Sequence, residues 1–401
     1  MSETSDRPFV PAPRGFVWGA ATAAHQTEGG NVNTSHWVAE YAPQTAVPEP
    51  SGDACDSFHR YPEDIALLAA AGLGAYRFSI EWARIEPEPG VFSRAALAHY
   101  RRMIDECLAR GIEPIVTLHH FTFPRWWQQR GGWQAPDAVD LFTGYVEVAA
   151  RILGDVKRVV TINEPNMLVI QLGAITDTTL GVNATGVDEQ RAQTIARAHH
   201  AAAAVLRAAT GAQVGWSVAN QVFQAVPGWE EQRDAWRYWR EDFFLEQARD
   251  DDFIGVQAYL RTIIGPTADA LGYGPQPWPD GTRFTLTGWE YYPDALGEAI
   301  RHTSTVAPGV PILVTENGIA TADDRERIAY TRRALAGVAA AIADGCDVRG
   351  YLHWSLLDNY EWGSFGPTFG LVAVNRETFE RQPKASLWWL GDLARRGVLP
   401  R

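Results

Sequence analysis

Short apolar segments rich in β-branched residues alternate along this chain with longer segments of helical periodicity. Eight segments have the length and pattern of buried strands, namely 16–20, 75–80, 112–119, 158–162, 213–219, 253–258, 312–315 and 349–354. Helical patterns lie between them, at 62–71, 94–110, 194–210 and 325–344 among others, and Gly72 and Gly111 stand where the first two should end. Strands that alternate with helices form parallel crossover units, and eight such strands can close a barrel. The sequence therefore predicts an α/β protein, a single (β/α)8 barrel domain spanning residues 1–401.

Two stretches have no clear periodicity. Residues 32–52 are rich in proline and polar side chains, and residues 265–288 contain several prolines and glycines. Both are predicted to be long loops that follow strands. In a barrel such loops lie on the C-terminal face, where substrates bind.

The composition excludes several classes of function. The chain has 48 Asp and Glu against 35 Lys and Arg, a formal net charge of −13, and no basic stripe that would predict nucleic-acid binding. No apolar run reaches membrane-spanning length, so no membrane partner is expected. The three cysteines lack metal-like spacing and are too few for a disulfide framework, which favours a cytoplasmic location. The 16 tryptophans suit sugar binding, although core packing is the more frequent role of tryptophan.

Two carboxylates stand directly after strands, at the positions where a barrel enzyme keeps its catalytic groups. Glu164 follows the fourth predicted strand and Glu316 follows the seventh. Because these strands lie across the barrel from each other, the two side chains should face each other at its mouth. Cleavage of an acetal needs such a pair, since one carboxylate stabilises positive charge at the anomeric carbon while the other protonates the leaving oxygen. A separation of about 5–5.5 Å would retain the anomeric configuration and about 6.5–9.5 Å would invert it, so both outcomes stay open.

Five motifs in order along the chain resemble glycoside hydrolase family 1, and the resemblance covers nearly the whole length. They are FVWGAATAAHQTEG at 16–29, YRFSIEWARI at 76–85, NEP at 163–165, TENG at 315–318 and SLLDNYEW at 355–362. The resemblance implies a retaining β-glycosidase of the β-glucosidase type. Its substrate would be a terminal, non-phosphorylated β-D-glucoside, galactoside or fucoside, and it would need neither a cofactor nor a metal.

The resemblance also implies a role for each matching residue. Glu164 would be the general acid/base and Glu316 the nucleophile. Asn163 would bind the sugar 2-hydroxyl, while Arg77 and Tyr259 would hydrogen-bond Glu316. An arginine beside Glu316 should keep the pKa of that carboxyl low. An acid catalyst needs the opposite, so the pKa of Glu164 should be raised to about 6–7.

Further residues are implied in substrate binding. Trp354 would be the stacking floor of the sugar, and Asn220 would lie towards the leaving group. The 3-, 4- and 6-hydroxyls of the sugar would be bound by Gln26, His120, Glu361 and Trp362.

The chain departs from the family pattern at three places, which leaves the shape of the sugar subsite open. Phe121 stands where the family commonly has Trp, Gln257-Ala258 precede Tyr259 where Asn-Tyr is usual, and Thr368 replaces an Arg. The pair His119-His120 resembles two metal ligands, but adjacent strand residues point to opposite faces, which disfavours a metal site.

Three other functions remain open. A 6-phospho-β-glycosidase is disfavoured because Glu361 would repel phosphate and no Lys follows it until Lys384. A transglycosylase would use the same residues with another acceptor. A catalytically silent sugar-binding barrel is permitted by the fold alone. The oligomeric state stays open.

Overall fold

Eight parallel strands close into a barrel in the computed structural model, which describes residues 8–170, 187–266, 274–275 and 278–401. The barrel strands, in chain order, are Val17–Ala21, Ala75–Ser79, Glu113–His119, Arg158–Asn163, Gln213–Asn220, Ile254–Ala258, Ile312–Glu316 and Val348–Trp354. Each boundary lies within one residue of the predicted one, because a strand buried on both sides has an unmistakable apolar run. The predicted (β/α)8 fold is confirmed.

Helices cover the outside of the barrel between successive strands. The longer ones are Ser57–Ala71, Arg94–Ala109, Ala138–Leu153, Glu189–Ala209, Ala295–Val306, Asp324–Ala343 and Ala385–Arg396. Between the fifth and sixth barrel strands the helix is interrupted, as Glu230–Arg237, a π-helical turn Tyr238–Asp242, and Phe243–Gln247. Shorter helices are Ala24–Thr27, Ser35–Glu40, Trp82–Ile85, Arg125–Gln129 and Pro165–Ile170, with a 3₁₀ turn at Gly132–Gln134.

The helix predicted at 62–71 begins earlier, at Ser57. In the structure Pro62 lies inside the helix. The predicted glycine stops are confirmed, since Gly72 and Gly111 both have left-handed φ angles, +84° and +71°.

Short strands attach to the barrel as small antiparallel or mixed pairs. Phe9–Pro11 pairs with Val398–Pro400, and Val372–Val374 pairs with Arg381–Pro383. Thr262–Gly265 lies between Phe223–Ala225 and Gly274–Pro275. The segment predicted as a loop at 32–52 contains the helix Ser35–Glu40. The loop predicted at 265–288 falls partly outside the described residues, at 267–273 and 276–277.

Tight contacts between strands hold the barrel closed. A Cβ atom on Gly19 would lie 2.2 Å from the carbonyl oxygen of Ala75 on the neighbouring strand, so only glycine fits there. Outside the barrel, Trp82, Trp127 and Tyr145 are fully buried, and Trp82 packs against both of the others. Some of the tryptophans therefore fill the core, as expected. Among the described residues, no helix is long and apolar enough to cross a bilayer.

Candidate active site

A cavity of about 540 Å³ opens at the C-terminal ends of the barrel strands. Among the described residues, its walls include side chains that follow the first, third, fourth, sixth, seventh and eighth barrel strands. The predicted site residues that line it are Gln26, His120, Asn163, Glu164, Tyr259, Glu316, Trp354, Glu361 and Trp362. The structure therefore brings together nine residues that are distant in sequence.

Glu164 and Glu316 both face this cavity. Glu164 directly follows the fourth strand and has a left-handed φ of +44°, which is uncommon for a residue with a side chain. Its backbone N–H donates to the carbonyl oxygen of Ser217 at 2.7 Å, which holds this turn against the fifth strand. Glu316 is the last residue of the seventh strand. Two residues later, a Cβ on Gly318 would lie 2.0 Å from the Trp354 carbonyl oxygen, so the chain after Glu316 packs closely against the eighth strand.

Glu316 is held by two partners, one on the second strand and one directly after the sixth. The guanidinium of Arg77, fully buried on the second strand, donates to Oε1 of Glu316 and forms an ion pair with it. The hydroxyl of Tyr259 donates to Oε2 at 2.9 Å. Both hydrogen bonds expected from the sequence are present. They fix the carboxylate plane and leave little freedom of rotation.

Asn163 is held in one orientation by two donors. Its Oδ1 accepts from Nη2 of Arg77 at 2.5 Å and from Nε2 of Gln257 at 2.8 Å. Its Nδ2 lies 3.3 Å from Nε2 of His120. Because the carbonyl oxygen already accepts two hydrogen bonds, the amide nitrogen lies on the side of His120 and the cavity, where it can donate an N–H.

Burial dominates the pKa values of the two carboxyls. It raises the pKa of Glu164 well above the usual value, and the nearby charge of Glu316 raises it further. Burial also raises the pKa of Glu316, while Arg77 and Tyr259 lower it. The expectation of a low pKa for Glu316 is therefore wrong, because burial outweighs the arginine. The order of the two pKa values is as expected, with Glu164 raised more strongly.

The inner end of the cavity is polar and incompletely hydrogen-bonded. Glu361 accepts from Nε1 of Trp354 at 3.1 Å and from Nε2 of Gln26 at 3.2 Å. Oε1 of Gln26 and Nδ1 of His120 are buried without a hydrogen-bond partner. Burial lowers the pKa of His120 well below the usual value, so its imidazole is neutral. Unsatisfied buried polar atoms at a cavity wall are suited to bind hydroxyl groups.

Aromatic rings form the side walls. The ring of His120 lies nearly parallel to those of Trp354 and Trp362, at centroid distances of 5.9 and 6.2 Å. Phe121 meets Trp362 edge-on at 5.2 Å. Phe121 and Trp362 both have left-handed φ angles, +65° and +50°. Such strained backbone tends to persist where function requires it.

Asn220, predicted towards the leaving group, is not among the described residues that line this cavity. Its Nδ2 donates to Oε1 of the buried Glu241 at 3.0 Å, and its Oδ1 accepts from the backbone N–H of Gln257 at 3.3 Å. Both ends of the amide are thus engaged within the protein. The bond to Gln257 links the end of the fifth strand to the sixth.

The three departures from the family pattern have different consequences. Gln257 supports Asn163, as described, and the carbonyl oxygen of Ala258 accepts from Nδ2 of Asn317 at 2.7 Å. Thr368 donates to the Thr321 carbonyl oxygen at 3.0 Å and does not line the cavity. Phe121 is the one departure that forms part of the wall among the described residues.

The two adjacent histidines do lie on opposite sides of the third strand. His120 faces the cavity, whereas His119 packs against Trp133, at a centroid distance of 5.4 Å. In the described residues, one group of three potential metal ligands occurs, Glu241, Asp242 and His302. His302 and Asp242 hydrogen-bond each other at 2.6 Å, and this group does not line the cavity.

Comparison with known proteins agrees with this geometry. Residues 10–235 and 273–398 match the model of glycosyl hydrolase family 1. The chain belongs to this family. It is 34% identical to the thermostable beta-glucosidase B of Thermobispora bispora, over 96% of this chain and 91% of that protein. It is 31% identical to a bifunctional beta-D-glucosidase/beta-D-fucosidase of Bifidobacterium breve, over 94% of this chain and 96% of the relative.

The fold agrees with solved family 1 structures. The crystal structure of the beta-glycosidase BGL167 superposes with a TM-score of 0.88 at 45% identity, covering 98% of this chain and 99% of that one. This family 1 member is therefore a glycoside hydrolase on a (β/α)8 barrel whose active site lies at the C-terminal face.

Several wall residues of this family 1 hydrolase were not anticipated from the sequence. Leu286, Trp289 and Pro367 line the outer part of the cavity, and they lie on loops without periodicity. Gln257 appeared only as a departure from the family pattern, with no indication of its contact to Asn163. A polar residue in an otherwise apolar strand was the one available signal.

Proposed function

We propose that this chain is a β-glucosidase that hydrolyses terminal, non-phosphorylated β-D-glycosides with retention of configuration. Glucosides are the principal substrates in this proposal, with fucosides and galactosides also accepted. The observation that carries it is the asymmetry of two carboxyls in one cavity. Glu316 has an arginine and a tyrosine as partners, whereas Glu164 has a more strongly raised pKa. Two carboxyls with different environments can take the two different roles that retention needs.

In the first step an oxygen of Glu316 attacks the anomeric carbon, and the bond from that carbon to the leaving oxygen breaks. Arg77 and Tyr259 aim the attacking carboxylate. Glu164 donates its proton to the leaving oxygen, so the aglycone departs as a neutral alcohol. The products of this step are a covalent glycosyl ester on Glu316 and an ionised Glu164.

In the second step Glu164 accepts a proton from water, and the water oxygen attacks the anomeric carbon. The ester bond to Glu316 breaks, and both carboxyls return to their starting states. Two inversions at one carbon give net retention. An alcohol that replaces water would give transglycosylation by the same route, and product analysis at high acceptor concentration separates the two reactions.

The inner end of the cavity would hold the sugar. Asn163 offers an N–H to the 2-hydroxyl, since its carbonyl oxygen already accepts two hydrogen bonds. Gln26, His120 and Glu361 supply partners for the remaining hydroxyls, and Trp354 and Trp362 supply apolar faces. The names of the two relatives, a β-glucosidase and a β-glucosidase/β-fucosidase, support glucose and fucose in this subsite.

The charges of the wall support a substrate without phosphate. The described residues that line the cavity include no Lys or Arg. Lys384 pairs with Asp358 at 2.7 Å, and Arg77 pairs with Glu316. A 6-phosphate placed near Glu361 would therefore meet a carboxyl and no cation.

We also propose a cytoplasmic location. All three cysteines are free thiols, and two of them, Cys55 and Cys107, are buried. Burial raises the pKa of each buried thiol to about 12, so neither is prone to oxidation. Fractionation of the native host would test this, and activity in a secreted fraction would contradict it.

Proton NMR of the first-formed product tests the proposed reaction. An aryl β-D-glucoside should yield β-glucose first, followed by mutarotation. An α-anomer as first product would overturn the double displacement. Absence of hydrolysis of any β-glycoside, in a folded preparation, would favour a silent sugar-binding barrel.

A further inference from the structure

The turn that carries Glu164 is hydrogen-bonded to the end of the fifth barrel strand. Regular pairing of the fourth and fifth strands ends at Asn163, opposite Ser217. The next hydrogen bond runs from the Glu164 N–H to the carbonyl oxygen of Ser217 at 2.7 Å. Two residues further along the chain, the side chain of Asn166 continues this pairing.

Asn166 uses its whole side-chain amide for these bonds. Its Oδ1 accepts from the Ala219 N–H at 3.1 Å, and its Nδ2 donates to the Ala219 carbonyl oxygen at 2.8 Å. An amide side chain carries the same kinds of donor and acceptor as a peptide group, so it stands here in place of a neighbouring strand. Nδ2 also donates to the carbonyl oxygen of Arg240 at 2.7 Å. Asn166 is fully buried, and both of its N–H groups are engaged within the protein.

The π-helical turn between the fifth and sixth strands anchors this arrangement. Arg240, which accepts from Asn166, lies on that turn, and so does the next residue, Glu241. Oε1 of the buried Glu241 accepts from Nδ2 of Asn220, and its Oε2 accepts from the backbone N–H of Gln221, both at 3.0 Å. Turns of π-helix are frequent at functional sites. The turn therefore binds both Asn166 and the end of the strand to which Asn166 is bonded.

These bonds surround a residue whose backbone conformation is unfavourable. Glu164 has a left-handed φ of +44°. A residue with a side chain adopts this region at a cost in free energy and keeps it where the surrounding structure fixes it. Pro165, the next residue, has no N–H to donate. The following bonds to the fifth strand therefore come from the side chain of Asn166.

We propose that Asn166 is a positioning residue for the general acid/base, and that it holds the turn after the fourth strand so that Glu164 points at the leaving oxygen. Asn166 is not among the described residues that line the cavity, so it acts through Glu164 and not by contact with substrate. The inference rests on the proposed double displacement and adds a residue to it. Catalysis is sensitive to such placement, since a displacement of about 1 Å can cost about 100-fold in rate.

Substrates with different leaving groups test this role. A dinitrophenyl β-D-glucoside needs little protonation, whereas methyl β-D-glucoside needs a proton on its leaving oxygen. Asn166→Leu removes all three hydrogen bonds and keeps the branched shape of the side chain. We expect it to lower kcat/KM for methyl glucoside by about tenfold to a hundredfold, and for the dinitrophenyl glucoside by less than about threefold. A residue that only stabilises the fold would change both substrates alike.

Glu241→Gln tests the anchor on the π-helical turn. Glutamine keeps one acceptor oxygen but places an NH2 group opposite the second donor, so one hydrogen bond is lost. The ratio of the two kcat/KM values, dinitrophenyl over methyl glucoside, should rise by about threefold to tenfold, as for the loss of one hydrogen bond.

Ile195→Ala is the matched control for a loss of stability. Ile195 is fully buried on the helix Glu189–Ala209, so its truncation leaves a cavity and lowers Tm without removing any of these hydrogen bonds. It should change the same ratio by less than about twofold, because proton transfer from Glu164 is unaffected.

The outcomes separate this inference from the proposed function. An unchanged ratio in Asn166→Leu, when Glu164→Ala does distinguish the two leaving groups, would overturn the positioning role and leave the proposed mechanism intact. If Asn166→Leu does not fold, an unchanged ratio in Glu241→Gln would overturn it. Failure of the wild type to cleave either glucoside, or equal losses on both in Glu164→Ala, would instead contradict the proposed function.

Discussion

The side-chain amide of Gln257 donates to Oδ1 of Asn163 at 2.8 Å, across the barrel interior from the sixth strand to the fourth. The same oxygen accepts from Arg77, which also holds Glu316. Gln257 is in turn fixed by its backbone N–H, which donates to Asn220. One network therefore orients both the Glu316 carboxylate and the Asn163 amide in the cavity.

Gln257→Ala should weaken catalysis through Asn163. The amide of Asn163 would lose one of the two donors that orient it, and we expect kcat/KM for an aryl glucoside to fall about fivefold to thirtyfold, equivalent to about 1–2 kcal/mol for one hydrogen bond. A 2-deoxyglucoside, which lacks the hydroxyl that Asn163 would bind, should lose much less.

The double variant with Asn163→Ala provides the control for Gln257. If Gln257 acts by positioning Asn163, the double variant should be little worse than Asn163→Ala alone. Fully additive losses, or equal losses on the 2-deoxyglucoside, would show that Gln257 acts independently of Asn163.

Glu316→Gly should abolish turnover of all β-glycosides, since no covalent intermediate can form without the carboxylate. Azide or formate can enter the space that the side chain leaves and attack an activated aryl glucoside. The rescued product should be an α-glucosyl azide or formate. Rescue that gives a β-product would mean that Glu316 is not the nucleophile.

Glu164→Ala should separate substrates by leaving group. A dinitrophenolate leaves without a proton, so formation of the glycosyl ester should remain fast on that substrate. Alkyl and unactivated aryl glucosides need the proton and should lose several orders of magnitude in kcat/KM. If all substrates lost activity equally, Glu164 would not be the acid.

The barrel could be predicted from the sequence, but the contacts between side chains on distant elements could not. Strand positions follow from local apolar runs, and Glu164 and Glu316 were found because each comes directly after such a run. The hydrogen bond from the Asn220 amide to Glu241, on the π-helical turn between the fifth and sixth strands, was not predictable from the sequence. The net pKa direction of Glu316 was misjudged because sequence gives the charge of Arg77 but not the extent of burial that opposes it. Contacts between distant elements depend on tertiary packing, which a local sequence pattern does not predict.

Glu164→Gln should stabilise the protein at neutral pH. Burial raises the pKa of Glu164 in the folded state, so the folded protein binds this proton more tightly than the unfolded chain. The contribution of Glu164 to the free energy of unfolding therefore falls as pH rises above the pKa of this carboxyl in the unfolded chain. The side chain of glutamine is neutral at every pH and avoids this loss. We expect Tm at pH 7 to rise by about 2 °C or more, with the difference vanishing near pH 4. Glu377→Gln, on an exposed turn, is the control and should show no such trend. A gain that is independent of pH would contradict this origin.

Glu361 should determine which sugar is accepted. Its two oxygens accept from Trp354 and Gln26, at the inner end of the cavity, so it does not serve merely to pair with a neighbouring loop. Each oxygen keeps capacity for a further hydrogen bond to a sugar hydroxyl. A 6-deoxy-D-glucoside lacks only the 6-hydroxyl of a glucoside and cannot use one of these bonds. Burial raises the pKa of Glu361 well above its usual value, so the expected contribution is that of a hydrogen bond to a neutral carboxyl. Glu361→Ala should therefore cost more in kcat/KM for a glucoside than for the matching 6-deoxyglucoside, by about 0.5–1.5 kcal/mol.

The difficulty with Glu361→Ala is that it also releases Trp354 and Gln26. Disorder of those two side chains would lower activity on both substrates, because a glucoside and its 6-deoxy analogue share every hydroxyl except the sixth. Only the difference between the substrates therefore reports contact with the 6-hydroxyl. Glu361→Gln keeps the size of the side chain and one acceptor oxygen, so it should fall between the wild type and Glu361→Ala on the glucoside. Parallel kinetics on the two aryl glycosides decide the matter. Equal losses of kcat/KM on both glycosides, in both variants, would mean that Glu361 supports Trp354 and does not contact the 6-hydroxyl.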